Sequence, residues 1–165
     1  MMSEYSFVLV LIVGIFLVLV GLFLANGLNN EREQSIRAKV EELQNSTIEM
    51  SPKEFLRMRK ASPGGRGHRS YASKYDFSGV YVLHNITKDL YYVGQGKNIM
   101  NRVNTHFTGR GNGDVYADYK YGDVFTIKMI ALDRSGFSTL NELERYTISY
   151  YDAYHKGYNK TRGNW

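Results

Sequence analysis

Residues 7–25, FVLVLIVGIFLVLVGLFLA, form an unbroken apolar run with no polar face. As a helix at about 1.5 Å per residue the run covers roughly 28 Å, close to the hydrocarbon thickness of a bilayer. A core helix of a soluble protein would show a polar side. A cleaved signal peptide competes with this reading. However, no positive residue precedes the run, and Phe23-Leu24-Ala25 is a poor cleavage site. The pattern predicts a transmembrane helix over residues 5–25.

Polar residues take over after it. A stripe of Ile36, Val40 and Leu43, with a Glu33/Arg37 pair, predicts a charged helix over 28–48. It serves as a solvated spacer or supports weak self-association. Ser51-Pro52-Lys53-Glu54 has the form of a capping box with proline at the first helical position, opening a helix over 52–60. Glycine and proline make 62–70 a flexible linker. Residues 26–76 thus read as spacer and linker, and 77–160 as a separate domain.

Within that domain, β-branched and aromatic residues predict strands over 79–86 and 90–94, joined by a Thr87-Lys88-Asp89 turn. A Gly94-Gln95-Gly96 loop leads to a helix over 99–107 that Asn98 would cap. Residues 108–114 are a glycine-rich connection, followed by a short helix over 115–120. Alternation over 123–132 places Phe125, Ile127, Met129 and Ala131 on one face of a third strand. Ser138 or Thr139 starts a last helix over 140–151. The fold class is α/β: a small three-stranded, mostly antiparallel sheet flanked by helices and preceded by a single transmembrane helix.

Charge changes the picture in one respect. All 21 Lys and Arg and 15 of the 16 acids fall after residue 25, so that portion carries +6. Such a balance suits a polyanionic partner, although ordinary solubilising charge explains it equally well. The bias is strongest in Arg57, Arg59, Lys60, Arg66, Arg69 and Lys74, with Lys97 further on. These residues could track a phosphate backbone, rest against anionic lipid, or simply be solvated. The absence of cysteine removes disulfides, zinc–thiolate sites and thiol catalysis. Arg32, Arg37 and Lys39 follow the apolar run while no cation precedes it, which places the C-terminal domain in the cytoplasm of a single-pass cell-membrane protein.

Arg102 and His106 lie four apart on one helix face, with Tyr81 and Tyr92 on the strands before them. Gly79-Val80-Tyr81, then Tyr92-Val93-Gly94, then Arg102 and His106 in this order and spacing resemble the GIY-YIG nuclease family. The match extends to Glu144, with Ile148 four residues on, and to Asn159 in Gly157-Tyr158-Asn159. The resemblance covers about residues 77–160. It departs from the family at Gln95, where serine or another small polar residue is more usual.

The resemblance implies phosphodiester hydrolysis with Mg2+ or Mn2+, on DNA; charge alone does not separate DNA from RNA. Tyr81, Tyr92, Arg102, His106, Glu144 and Asn159 would form the catalytic set around the motif glycines Gly79 and Gly94. Glu144 would hold the metal. Glu142 lies about 200° around the helix and is employed in the helix cap. Arg102 would bind nonbridging oxygens bidentately. Tyr81 would orient or deprotonate water, with Tyr92 nearby, and His106 would shuttle a proton or orient its neighbours. A non-cleaving, membrane-tethered nucleic-acid-binding protein with the same fold is the alternative.

Overall fold

The computed structural model describes residues 4–163. Two compact units divide between Lys39 and Val40. A single helix, α1 (Glu4–Ser46), begins in the first and ends in the second. The predicted span and spacer are therefore one element, since nothing between 25 and 28 breaks a helix: Asn26 and Gly27 are tolerated inside it. In the N-terminal unit, Leu9 and the large apolar side chains from Leu11 to Leu24 are 38–78% exposed. Among the described residues, α1 is the one helix long and apolar enough to cross a membrane.

In the C-terminal unit, β1 (Gly79–Asn85) lies between β2 (Leu90–Gly96) and β3 (Phe125–Ala131), antiparallel to both. Both faces of β1 are covered. Tyr81 and Leu83 join Ile127, Phe55 of α2 (Pro52–Lys60), Ile99 and Val103 of α4 (Ile99–Phe107), and Val115 of α5 (Gly113–Lys120) in one core. Val80, Val82 and Val93 are buried on the opposite face, where α6 (Leu140–Tyr150) packs on β1 and β2 through Leu143 and Ile148. Double burial explains the continuous apolar run at 79–83, since a strand wet on one side would alternate. It also explains why Ile130, on the other face from Phe125 and Ile127, is buried too.

Each outer strand of the sheet has its free edge covered. Met50 exchanges backbone hydrogen bonds with Ile127 on β3, at 3.1 and 2.8 Å. On β2, Tyr158 N–H donates to Tyr91 O (2.9 Å), and the Asn159 amide pairs with both backbone groups of Val93 at 2.8 Å. These devices block pairing with a second chain.

Several local expectations change. Gly94-Gln95-Gly96 continues β2, because Gly96 pairs with Gly79 across the ladder. The predicted spacer and linker, 26–76, are built into the domain from Val40 onward. Ser51 and Glu54 form the capping box of α2, and Phe55 is wholly buried. A short helix, α3 (Tyr71–Tyr75), occupies part of the linker, anchored by Tyr71 N–H on Ala61 O. The self-association stripe is used internally. Val40 is 1% exposed, and buried Gln44 accepts from Tyr151 Oη at 2.8 Å. Helix α5 starts two residues earlier than expected because Asn112 Oδ1 accepts from Asp114 and Val115 N–H.

Asn98 occupies the start of α4 but makes no capping bond. Asp76 does that work from a distance in sequence: its carboxylate accepts from Met100 N–H (2.8 Å) and Asn101 N–H (3.2 Å). A carboxylate there also opposes the positive end of the helix dipole. Asp76→Ala is expected to lower stability by about 1–2 kcal/mol, as for loss of a helix cap. Asn98→Ala should stay within about 0.5 kcal/mol. Denaturant titration of both variants checks the assignment, and equal losses would refute it.

Candidate active site

Tyr81 projects from the central strand into the core and is 0% exposed. A buried hydroxyl without a hydrogen bond is costly, so its partners matter. Tyr81 Oη lies 2.8 Å from His106 Nε2, and His106 Nδ1 accepts the Asn112 backbone N–H at 2.8 Å. A backbone amide can only donate, so Nδ1 carries no proton. The neutral ring must then hold its proton on Nε2 and donate to Tyr81. Burial, aided by Arg102, pushes the His106 pKa down to about 4. The ring is therefore neutral at pH 7, and its tautomer is set by the backbone.

Tyr81 accepts from His106 Nε2–H. Arg102 and Tyr92 lie close enough to act on the Tyr81 phenol. Burial, and after it Tyr92, pushes the Tyr81 phenol far above its usual value, while Arg102 opposes the rise. Burial raises Tyr92 as well, offset in part by Arg102 and by the neighbouring Tyr81 hydroxyl. Tyr92 is half-buried and Arg102 exposed, so they form the solvent side of the cluster and Tyr81 with His106 its inner side. The rings are close, with centroids 6.2 Å apart for Tyr81 and Tyr92 and 4.8 Å for Tyr92 and His106.

Glycines make room for this packing. A Cβ on Gly94 would strike the Tyr81 ring, 2.6 Å from Cζ, so Tyr81 can cross β2 only at a glycine. A Cβ on Gly79 would run into the Ile130 carbonyl of the neighbouring strand. One on Gly111 would lie 2.6 Å from His106 Nδ1, where the loop must approach to present Asn112 N–H.

On the other face of β2, Glu144 is 8% exposed. Gln95 Nε2 donates to Glu144 Oε2 (2.9 Å) and to Asn141 Oδ1 (2.8 Å). Glu142 is occupied at the helix start, where its N–H donates to Thr139 Oγ1 and its carboxylate accepts from Ser138 N–H. Asn159 holds the backbone of Val93 between these two groups of residues and points neither amide atom at a reacting centre.

A family model, the GIY-YIG catalytic domain, matches residues 77–159. The chain belongs to the GIY-YIG family. It is thus a nuclease, acting on nucleic acid. Among solved structures it is similar to the catalytic domain of the intron endonuclease I-TevI in mutant form, at 23% identity and a TM-score of 0.41, over 53% of this chain and 97% of that one. No curated protein matches.

GIY-YIG nucleases generally depend on a divalent metal. Among the described residues no three His, Asp or Glu side chains cluster as a metal cage. A single buried carboxylate, Glu144, fits a hard cation that fills the rest of its shell with water and phosphate oxygens, as Mg2+ does.

The basic residues named from sequence are distinguished by their surroundings. Lys88, Lys128, Lys156 and Lys160 each have a carboxylate within 4.0 Å. Among the described residues, no ion pair within that distance holds Arg57, Arg59, Lys60, Arg66, Arg69, Lys74, Lys97 or Arg102. Arg59 Nη2 instead donates to Asn101 Oδ1 (2.6 Å), the residue before Arg102. Asn112, Gly111, Gln95 and Asn141 belong to the site without a motif to announce them. Gly111 and Asn112 had a signal only in the glycine-rich loop, and Gln95 only as a departure from the family.

The His106 shift has a thermodynamic consequence. An unfolded histidine takes up a proton near pH 6.5, whereas folded His106 resists until about 4. Its contribution is therefore complete above pH 6.5 and is lost as pH falls toward 4. Between pH 7 and pH 5 the unfolding free energy from denaturant titration should fall more in the native protein than in His106→Gln, by on the order of 2 kcal/mol. Parallel slopes would contradict a neutral buried imidazole.

Proposed function

We propose that this GIY-YIG nuclease is a membrane-anchored, divalent-metal-dependent DNA endonuclease. The observation that carries the catalytic reading is the gathering of Tyr92, His106 and Tyr81 around the Tyr81–His106 hydrogen bond, with the Arg102 charge bearing on both phenols. It stabilises negative charge on the phenol that meets solvent. Tyr92 is thus the group that orients the attacking water and takes its proton. Tyr81 is reserved for the interior, a change of emphasis from the family-based reading in which it serves as base. His106 orients and donates; with Nδ1 engaged, its Nε2 has no lone pair for a shuttled proton.

Arg102, exposed and fork-shaped, donates to the nonbridging oxygens as charge builds at phosphorus. A cation on Glu144 would polarise the phosphate and help neutralise the leaving oxygen when bound. Asn159 keeps β2 at the height that presents Tyr92 on one face and Gln95 on the other. The unpaired cations of α2 and its following loop, tied to α4 through Arg59 and Asn101, supply a phosphate-tracking surface. DNA near the inner membrane surface is the proposed substrate, because the apolar exposed part of α1 suits lipid and the cations after it favour a cytoplasmic domain.

The test uses the full chain, recovered from the membrane fraction and reconstituted in nanodiscs, on supercoiled plasmid with Mg2+. Nicking is expected, and Arg102→Ala and Glu144→Ala should each slow it at least about 100-fold with unchanged melting. No nicking by the native protein would favour the non-cleaving tether, and recovery outside the membrane would remove the anchor. An RNA substrate of the same sequence, run in parallel, separates the two nucleic acids.

The phenol directions also fix a pH dependence. Tyr92 must lose its proton to act as base and its pKa is raised, so the active fraction grows with pH throughout the neutral range. Single-turnover rates should climb up to about tenfold per unit between pH 6.5 and 9. His106 adds no inflection there, because it titrates near 4. A flat profile would rule out a phenolate base.

A further inference from the structure

Gln95 follows Gly94 on β2, and strand alternation turns its side chain away from the tyrosines toward α6. Asn141 and Glu144, three apart, share one helix face and meet it there. Both hydrogens of the Gln95 amide are spent on this meeting, one on Asn141 Oδ1 and one on Glu144 Oε2, at 2.8 and 2.9 Å. The bond to Glu144 lies where the carboxylate is nearly out of solvent. An oxygen already holding an amide hydrogen is a poor second arm for a chelated ion.

We propose that Gln95 is a positioning residue that makes Glu144 a one-oxygen metal ligand and so biases the site toward Mg2+ over Ca2+. The inference rests on the reading that Glu144 holds the catalytic cation. Mg2+ accepts one carboxylate oxygen in a tight octahedron and keeps its waters, whereas Ca2+ readily takes both oxygens in a larger, looser shell. Freeing Oε2 therefore benefits Ca2+ more than Mg2+. Asn141 is part of the device: it engages the second amide hydrogen and fixes the rotation of the Gln95 head group. Groups outside the ligand shell commonly alter metal affinity by about 10–100-fold.

The experiment is Tb3+ luminescence, sensitised by nearby Tyr92, of the full chain in detergent micelles, with Mg2+ and Ca2+ as competitors. No nucleic acid or turnover enters the measurement. Gln95→Met keeps the volume without the donor, and Gln95→Ser installs the small polar residue more usual in the family. In both, the Ca2+/Mg2+ competition ratio should move about tenfold toward Ca2+, while Glu144→Gln abolishes the Tb3+ signal. An unchanged ratio in either folded variant overturns the role of Gln95 and leaves Glu144 as ligand. A Tb3+ signal that survives Glu144→Gln overturns the metal assignment itself, and the proposal with it.

Discussion

A phenol with no route to water must find its hydrogen bonds inside the protein, and Tyr81 is such a phenol. The rest of the site follows from satisfying it. One acceptor position takes His106 Nε2–H, which requires Nδ1 to be bare, which in turn requires a donor on the far side of the ring. That donor is the Asn112 backbone, and it reaches His106 only because Gly111 has no Cβ. The same Asn112 caps α5 with its side chain, so the loop is held from both ends. A single burial requirement thus sets a tautomer, a loop and a helix start.

The sheet divides the chemistry between its faces. Tyr81 and Tyr92 project to one side with α4, while Gln95 and Glu144 meet on the other with α6. Groups on opposite faces can serve one reaction only at the sheet's margin, and β2 is the outer strand. An outer strand is also the one most easily deformed. The pairing of Asn159 with Val93 counters this by supplying the partner a fourth strand would give, without exposing a new edge. The late asparagine therefore acts on β2 through backbone control, in keeping with its distance from the motif in sequence.

Much of this was legible before any coordinates. Strand and helix positions followed from alternation and capping boxes, and the ordered motif named Tyr81, Tyr92, Arg102 and His106, which the fold brings together, and Glu144, which it sets on the other face of the sheet. What escaped depended on contacts between distant residues. Nothing local marks Asp76 as the cap of a helix that begins at Ile99, with Asn98 standing at the usual place. The apolar stripe on α1 suggested a solvated spacer or a self-associating face, because periodicity cannot say what a short stripe packs against; Val40 is buried within the domain itself. The basic segment looked like a linker because glycine and proline dominate its second half, while Phe55 had already committed its first half to the core.

The one-turn spacing of Arg102 and His106 has a physical reading beyond the motif. Four residues apart on α4, the guanidinium bears on the imidazole and discourages its protonation, adding to burial. Protonated His106 would need Nδ1–H, which would confront the Asn112 N–H and break the loop contact. Arg102 at the same time favours the anionic form of both tyrosines, against the penalty of burial. One fixed cation therefore acts in two directions, keeping the histidine neutral as a donor and easing proton loss from the phenols. Lysine would supply the charge but not the planar fork that can serve Tyr81 and a phosphate together. Moving either residue by one position would rotate it about 100° around the helix and separate the two effects.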